Sequence, residues 1–217
     1  MRAHGCGGCL LRIIVCVLAA GFIWQLFGAD LEPYAKKAER LAYPVSYDEA
    51  ILASSERHNV DPLLVCAVIK CESNWDPSVS SGVGACGLMQ LMPETAEELI
   101  RQGYVDGSVY SADALYDPET NIEFGCAYLE LARHELGSTD EVIASYNAGI
   151  GKVKEWLASG TGSISELSQE YPETATYLKK VQNAYERYRA LYTEGLAAKA
   201  RALLQEQMFL YDSCRRS

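Results

Sequence analysis

Apolar residues recur in blocks of helical length along this chain, separated by glycine, proline and small polar residues. The most uniform block in the body, residues 63–69, is apolar on every side and follows Asp61-Pro62. A run of this length could also be a buried strand, but an aspartate N-cap and a proline at the first helical position favour a helix. We expect this helix to continue through Glu72 and to end before Pro77, because proline forces the preceding residue out of the helical region.

The same pattern predicts further helices on both sides of this one. Ser46 and Glu49 have capping-box spacing, so a helix should begin there and run to about residue 58. The other predicted helices cover residues 93–102, 118–136, 139–147, 149–158 and 172–192, and an amphipathic stretch covers 196–210. No segment alternates like a strand for long, and residues 78–87 are small turn formers. The sequence therefore predicts an all-α fold with a loop over 78–87.

A separate apolar segment lies near the N-terminus, over residues 10–28, and Arg2 and Arg12 are the charged side chains that precede residue 29. If Arg12 reaches the interface, this segment is long enough to span a bilayer. The positive charges would keep the N-terminus inside and the rest of the chain outside. We therefore expect a signal anchor in the cytoplasmic membrane, with a cleaved signal peptide as the alternative. The expected division of the chain is a membrane segment over 1–28, a spacer over 29–45, a helical domain over 46–192 and a tail helix over 193–217.

Composition and charge argue against two broad classes of protein, disordered chains and nucleic-acid-binding proteins. Of the 217 residues, 49% are hydrophobic and 22% are charged, which disfavours intrinsic disorder. The net charge of −10 disfavours nucleic-acid binding, because an acidic chain is repelled by phosphate backbones. Five of the eight cysteines lie in the body, at Cys66, Cys71, Cys86, Cys126 and Cys214. This odd number forces no complete disulfide framework, so we expect these cysteines to be small core residues.

Glu72 is the first candidate for chemistry, because it follows a helix that is apolar on every side. A carboxyl group at the end of such a helix is poorly solvated, which raises its pKa and suits it to general acid catalysis near neutral pH. The alternative is a glutamate that caps the helix or forms an ion pair there. Spacing alone leaves both interpretations open.

Four sequence blocks follow one another through the body of the chain. They are Glu72-Ser-Asn-Trp-Asp-Pro77 with Ser81-Gly-Val-Gly-Ala-Cys-Gly-Leu-Met-Gln-Leu-Met-Pro93, then Asn121-Ile-Glu-Phe-Gly125 with Tyr128-Leu129, then Ala144-Ser-Tyr-Asn-Ala-Gly149, then Glu173-Thr174 with Tyr177. Together they resemble the motifs of the soluble lytic murein transglycosylase (SLT) family, over roughly residues 45–192. Four blocks in the family's order are a far more specific signal than any one of them.

The resemblance implies a fold, a reaction and a substrate. The fold would be a lysozyme-like helical domain, of the type shared by goose-type lysozyme and the SLT enzymes, with a long groove for glycan strands of peptidoglycan. The reaction would be cleavage of the β-1,4 bond between N-acetylmuramic acid and N-acetylglucosamine, leaving a 1,6-anhydro end. Glu72 would be the single catalytic acid and base. The resemblance implies no metal and no cofactor, and the sequence identifies no protein partner.

The resemblance also assigns residues to the walls of the groove. Ser81 and Gln90 would contact the sugar or the reacting atoms, Tyr146 would lie near Glu72, and Asn147 would hold that wall in place. Each of the last two has a structural alternative, since Tyr146 could be an ordinary core aromatic and Asn147 a helix-ending cap.

The motifs also contain two methionines with an implied role, and one residue in the fourth block differs from the family pattern. Met89 and Met92 would bracket a sugar ring, with core packing as the alternative for both. Ala175 stands where many members of the family have arginine after Glu-Thr, so any contact of that arginine is missing here.

Three other functions are alternatives to this interpretation, two enzymatic and one non-catalytic. A hydrolytic muramidase on the same fold would need a second carboxylate to activate water, for which the sequence offers Asp76, Asp117 and Glu123 without placing them. A zinc peptidase is disfavoured, because His134-Glu135 is not followed by the second histidine of its motif. A non-catalytic wall-binding scaffold on the same fold is the remaining alternative.

Overall fold

The structure is a computed structural model that describes residues 35–159, 171–192 and 194–196. Contacts divide the chain into two units, Met1–Pro44 and Val45–Ser217. The described part of the first unit is helical over residues 35–42, within the stretch expected to be a spacer. The expected membrane segment over 10–28 lies outside the described residues. Within them, every helix is too short or too polar to span a bilayer.

The described residues of the second unit are helical, and their loops contain two isolated bridges but no strand. This confirms the predicted all-α class, and most helix ends lie within one residue of their predicted positions. The helices are α1 (Asp48–His58), α2 (Pro62–Glu72), α3 (Pro93–Arg101), α4 (Pro118–Glu135), α5 (Thr139–Ala148), α6 (Ile150–Ala158) and α7 (Pro172–Leu191), with a 3₁₀ turn at Ala112–Ala114. The predicted amphipathic stretch over 196–210 lies outside the described residues except for its first position.

Two helices begin at the Asp-Pro pairs that predicted them. The Asp61 carboxylate accepts a hydrogen bond from the backbone N–H of Leu63 at 2.8 Å, at the start of α2. The Asp117 carboxylate accepts one from Thr120 at 2.9 Å, at the start of α4. In both cases the side chain satisfies an N–H group that has no partner inside the helix.

The start of α1 differs from the prediction. The capping box at Ser46 and Glu49 does not form, because Tyr47 is the N-cap residue and makes no side-chain cap. Tyr47 has φ 56°, so the chain enters the helix through a left-handed residue. At the other end Asn59, with φ 51°, closes α1 in the same conformation, which asparagine tolerates better than most residues.

Helix α2 lies at the centre of the core and is buried on all sides, as its sequence predicts. It packs against α7 and α1, while α1 packs against α4 and α5 packs against α6 and α7. Its side chains without exposed surface are Val65, Cys66, Ala67, Val68 and Ile69. Each valine or isoleucine buried in this way contributes about 1.5–3 kcal/mol. The last turn of α2 is therefore held in place by the surrounding core.

The cysteines of the body are mainly core residues, as predicted. Cys66, Cys71 and Cys126 are buried, Cys86 is partly exposed, and all four are free thiols. Burial raises the pKa of Cys71 to about 11. Burial also raises the pKa of Cys126, so both of these thiols are protonated and unreactive at neutral pH. Cys214 lies outside the described residues.

Candidate active site

Glu72 is the last residue of α2, and the chain turns sharply after it. Asn74 and Trp75 follow with φ 52° and 71°, two left-handed residues that are not glycine. Such a conformation costs free energy for a bulky residue and persists only where the surroundings impose it. Here the Trp75 indole N–H donates to the hydroxyl of the buried Tyr188 at 2.9 Å, which fixes the turn against α7. The turn therefore holds Glu72 at the edge of the core.

The carboxyl of Glu72 is partly buried and is contacted from α7. The hydroxyl of Tyr177 donates to its Oε1 at 2.5 Å. Burial raises the pKa of Glu72, while the Tyr177 hydrogen bond and the positive charge of Lys180 act against that rise without cancelling it. Glu72 is therefore protonated to a higher pH than an ordinary glutamate, as the sequence predicted from its position.

Tyr177 and Lys180 are site residues that sequence reasoning did not assign. Tyr177 was recognised as part of the fourth motif block, but nothing in its local sequence connects it to Glu72. Burial and the neighbouring carboxyl of Glu72 raise the pKa of Tyr177 well above its usual value, so the phenol stays protonated as a donor. The motif block was the available signal, because it places a tyrosine on the buried side of α7.

Tyr146 and Asn147, which the resemblance assigned to the wall of the groove, lie near the end of α5. The hydroxyl of Tyr146 donates to the carbonyl of Met89 at 2.9 Å, and its ring packs edge-on against Tyr128 at 5.1 Å between centroids. Burial and the charge of Glu72 both raise the pKa of Tyr146, which places it within electrostatic reach of that carboxyl. Asn147 accepts a hydrogen bond from the Thr174 hydroxyl at 2.8 Å, which connects the end of α5 to α7.

The loop between α2 and α3 is held together by the side chains of Ser81 and Gln90. The Ser81 hydroxyl oxygen accepts the backbone N–H groups of Val83 and Ala85, at 3.3 and 2.9 Å. The Gln90 side-chain amide donates to the carbonyl of Gly87 at 2.9 Å and to a second loop carbonyl at 3.0 Å. Within the described residues, neither side chain hydrogen-bonds directly to Glu72. Their position in this partly exposed loop leaves one face of each accessible.

The two methionines occupy different environments. Met89 has no exposed surface, and its thioether packs so closely on Gly125 that a methyl group there would collide with it. A side chain in this position cannot bracket a sugar ring, so the structure favours the core alternative for Met89. Met92 is partly exposed at the N-cap of α3 and remains available to a ligand.

Asn121 is a third residue that the sequence did not assign to the site. It is fully buried in α4, and its amide makes three hydrogen bonds to the backbone. It accepts the N–H of Met89 at 2.7 Å and donates to the carbonyls of Cys86 and Leu115 at 2.9 and 2.7 Å. The Asn121 amide and the Leu115 carbonyl also lie so close to Gly87, whose φ is 76°, that any side chain there would collide with them. Asn121 thus attaches the loop that carries Gln90 to the core.

The three acids that could have supplied a second carboxylate each have a different role. Asp76 accepts the backbone N–H and the hydroxyl of Ser78, at 2.9 and 2.6 Å, and these bonds lower its pKa. Asp117 caps α4. Glu123 is buried beside Arg57 and His58. Among the described residues, Glu72 therefore has no second carboxylate bonded to it or to Tyr177.

The cluster around Glu123 joins α1 to α4. Glu123 accepts hydrogen bonds from Ser54 at 2.6 Å and Arg57 at 2.5 Å, and the His58 ring lies between it and Glu130 at 3.1 and 2.8 Å. Burial alone would raise the pKa of Glu123, but these bonds outweigh it and hold the pKa at about 2. A cavity of about 760 Å³ lies beside the cluster. The carboxylates lining it are paired within the protein, which indicates a structural role.

Metal binding would require a group of ligands that the described residues do not provide. No group of three or more histidine, cysteine, aspartate or glutamate side chains is arranged to hold an ion there.

Comparison with known proteins identifies the family. A family model described as the transglycosylase SLT domain matches residues 49–168, more than half of the chain. The soluble lytic murein transglycosylase of Escherichia coli is 36% identical over 154 residues, which are 67% of this chain and 24% of that protein. The membrane-bound lytic murein transglycosylase C of Edwardsiella ictaluri is 32% identical over 168 residues, 67% of this chain and 47% of that protein.

Similarity extends to the three-dimensional structure. The crystal structure of the 70 kDa soluble lytic transglycosylase from Escherichia coli matches with a TM-score of 0.64 and 32% sequence identity, over 70% of this chain and 25% of that chain. The chain thus spans between about a quarter and about half of the length of these relatives. The motif blocks, the helical fold and the family match agree, and the chain belongs to the transglycosylase SLT domain family.

Proposed function

We propose that this protein is a lytic transglycosylase that cleaves the β-1,4 bond between N-acetylmuramic acid and N-acetylglucosamine in peptidoglycan. The observation that carries the proposal is the environment of Glu72. It is a partly buried carboxyl with a raised pKa and a phenol donor on one oxygen, and the described residues place no second carboxylate beside it. The family membership supports the substrate class, since the relatives named above are murein transglycosylases.

The first step uses Glu72 as an acid. Tyr177 donates to Oε1, and Oε2 accepts no hydrogen bond from the described residues, so Oε2 can carry the proton. That proton passes to the glycosidic oxygen as the bond from this oxygen to C1 of the muramic sugar breaks. The raised pKa keeps the proton on Glu72 until the substrate is bound.

The second step uses the same group as a base. The Glu72 carboxylate, stabilised by Tyr177 and Lys180, removes the proton from the C6 hydroxyl of the muramic sugar. The C6 oxygen then forms a bond to C1, which closes the 1,6-anhydro ring and returns Glu72 to its protonated state. No water is consumed. Because the attacking hydroxyl belongs to the same sugar, it has a large effective concentration relative to water.

The remaining residues of the site position the glycan strand. Ser81, Gln90 and Met92 are partly exposed in or beside the loop that follows α2, and we assign them to the cleft wall. Tyr146 and Asn147 support this wall from α5, through the bonds to Met89 and Thr174. The catalytic domain of the proposed enzyme is residues 46–192.

The proposed reaction is tested by digesting purified sacculi and measuring the released muropeptides by mass spectrometry. Products of the transglycosylase end in 1,6-anhydromuramic acid and are lighter by one water than hydrolysed products. Glu72→Gln should abolish release, because it keeps the shape of the side chain and removes the titrating proton. Glu97→Gln is the matched control, since Glu97 is exposed on α3, and it should retain activity.

Three outcomes would contradict the proposal. Reducing ends as the main product would assign the protein to the hydrolytic muramidases. Equal activity in Glu72→Gln and the wild type would remove Glu72 from the chemistry. A wild-type protein that binds sacculi without releasing any product would indicate the non-catalytic scaffold.

We also propose that the enzyme acts outside the cytoplasmic membrane and is anchored to it by residues 10–28. The arginines before this apolar segment support that orientation. Protease added to intact protoplasts should then digest residues 46–192. Protection of these residues until the membrane is lysed would contradict the topology, and a mature chain starting near residue 28 would indicate a cleaved signal peptide.

A further inference from the structure

Helix α7 contacts the site through three residues spaced by three positions. Thr174 donates to Asn147 at 2.8 Å, Tyr177 donates to Glu72 at 2.5 Å, and the Lys180 ammonium donates to the carbonyl oxygen of Cys71 at 2.6 Å. Residues three apart lie on the same face of a helix, so these contacts form one row. The first two hydrogen bonds were described above with the site, whereas the bond from Lys180 to Cys71 has no role assigned to it.

The carbonyl that Lys180 contacts belongs to the residue immediately before Glu72. The last four carbonyl groups of a helix lack partners within that helix and carry the negative end of its dipole. Glycine often follows a helix and satisfies these groups, but here Ser73 follows Glu72, and its N–H bonds the carbonyl of Ile69. The Cys71 carbonyl is satisfied instead by Lys180, from a different helix.

We propose that Lys180 is a positioning residue for Glu72, because its ammonium caps the last turn of α2 and holds a positive charge beside the catalytic carboxyl. The proposal rests on the proposed function of Glu72. It adds that α7 fixes both the place and the charge of the catalytic group through a residue that never touches the substrate.

The electrostatic surroundings of Glu72 make this role specific. The groups that face it are Tyr177 and Lys180 from α7, Tyr146 from α5, and the thiol of Cys71 on its own helix. The two tyrosines have raised pKa values, as does the thiol, so all three are neutral at physiological pH. Of these groups, Lys180 alone carries a charge. Its effect on Glu72 is to favour the carboxylate and so to oppose the effect of burial.

The neighbouring Lys179 provides a matched control. It is also exposed on α7 and carries the same charge, but it is rotated about 100° around the helix from Lys180. Lys180→Met should therefore raise the pKa of Glu72, while Lys179→Met should leave it unchanged. Lys180→Arg keeps both the charge and the donor and should behave like the wild type.

The experiment is a ¹³C NMR titration of glutamate carboxyl groups in the full chain in detergent, with the Glu72 signal assigned by its loss in Glu72→Gln. We expect the Glu72 midpoint to move to higher pH in Lys180→Met and not in Lys179→Met or Lys180→Arg. In parallel, the pH dependence of kcat/KM for muropeptide release should show its alkaline limb displaced upward in Lys180→Met alone.

The proposal would be overturned if the Glu72 midpoint were the same in Lys180→Met and Lys179→Met, whether both were shifted from the wild type or neither was. Thermal unfolding of each variant identifies any general loss of structure, and Lys180→Gln replaces Lys180→Met if the latter unfolds. The titration does not depend on turnover. If Lys180→Met shifts the Glu72 midpoint but the wild type digests no sacculi, the role of Lys180 is supported and the proposed function is contradicted. If the wild type is active but Lys180→Met leaves the midpoint unshifted, the proposed function is supported and the role of Lys180 is contradicted.

Discussion

The attachment of the active-site loop by Asn121 leads to a prediction that can be worked from the structure. This buried amide bonds three backbone groups, the N–H of Met89 and the carbonyls of Cys86 and Leu115. Asn121→Ala removes all three bonds and leaves the methyl group too short to replace them. The N–H of Met89 and the carbonyl of Leu115 then lie inside the protein without partners, while the carbonyl of Cys86 keeps the N–H of Leu91 at 3.1 Å.

The expected loss of stability is large. Each buried polar group left unsatisfied costs about 1–3 kcal/mol. Two such groups would cost about 2–6 kcal/mol, but a water molecule can enter the vacated space and bond one of them, so we expect about 2–4 kcal/mol. Native domains are stable by only about 5–15 kcal/mol. The Asn121→Ala variant should therefore fold with a much reduced margin, and the loop that carries Gln90 should be the first part to open.

Equilibrium urea denaturation measures the free energy of unfolding, and limited proteolysis reports the opening of the loop. Asn183→Ala is the control, because Asn183 is exposed on α7 and its loss should change stability by no more than about 0.5 kcal/mol. Sacculus digestion should fall further in Asn121→Ala than its unfolded fraction explains, because the loop is displaced in the folded molecules. A loss below about 1 kcal/mol, with unchanged proteolysis of the loop, would refute the role assigned to Asn121.

Three further predictions follow from other contacts. Tyr177→Phe removes the donor to Glu72 and should lower kcat/KM at least about tenfold and raise the pKa of Glu72, measured from pH–rate profiles; unchanged profiles would contradict this. Gly125→Ala should destabilise the protein by about 1–3 kcal/mol through collision with Met89, and adding Met89→Ala should recover part of that loss in a double-mutant cycle; strict additivity would exclude the contact. Burial lowers the pKa of His58, but the hydrogen bonds that its ring donates to two carboxylates outweigh burial and raise the pKa above 6.5. The stabilisation from His58 is therefore complete below pH 6.5 and is lost as pH rises through the raised value, so denaturation midpoints of the wild type should decline there, whereas those of His58→Gln should not.

The features that the sequence predicted correctly depend on residues that are adjacent in the sequence. The Asp61-Pro62 pair and the apolar run after it specify α2 without reference to the rest of the chain, and they place Glu72 at its end. Burial at that position raises the pKa of Glu72, as the sequence predicted. The capping box at Ser46 did not form. Its spacing is right, but Tyr47 is the N-cap residue and has a left-handed conformation.

The features that the sequence could not supply depend on contacts between distant residues. Tyr177 lies 105 positions after Glu72, and Asn121 lies 32 positions after Met89. No periodicity or spacing rule connects such pairs, because they meet only once the helices have packed. Met89 shows a related limit, since a methionine in a motif can serve the core or the ligand, and only its burial against α4 decides between them.

In the proposed reaction, a site with a single carboxyl has to satisfy two opposite requirements within one turnover. Glu72 would have to hold its proton long enough to deliver it to the leaving oxygen, and would then have to be stable enough as a carboxylate to take another from the C6 hydroxyl. Burial at the end of α2 serves the first requirement, because it disfavours the charged form. Tyr177 and Lys180 serve the second, because both favour it. Burial without these two groups would leave a poor base, and the two groups without burial would leave a poor acid. The opposition between α2 and α7 at this residue is therefore what allows one carboxyl to perform both steps.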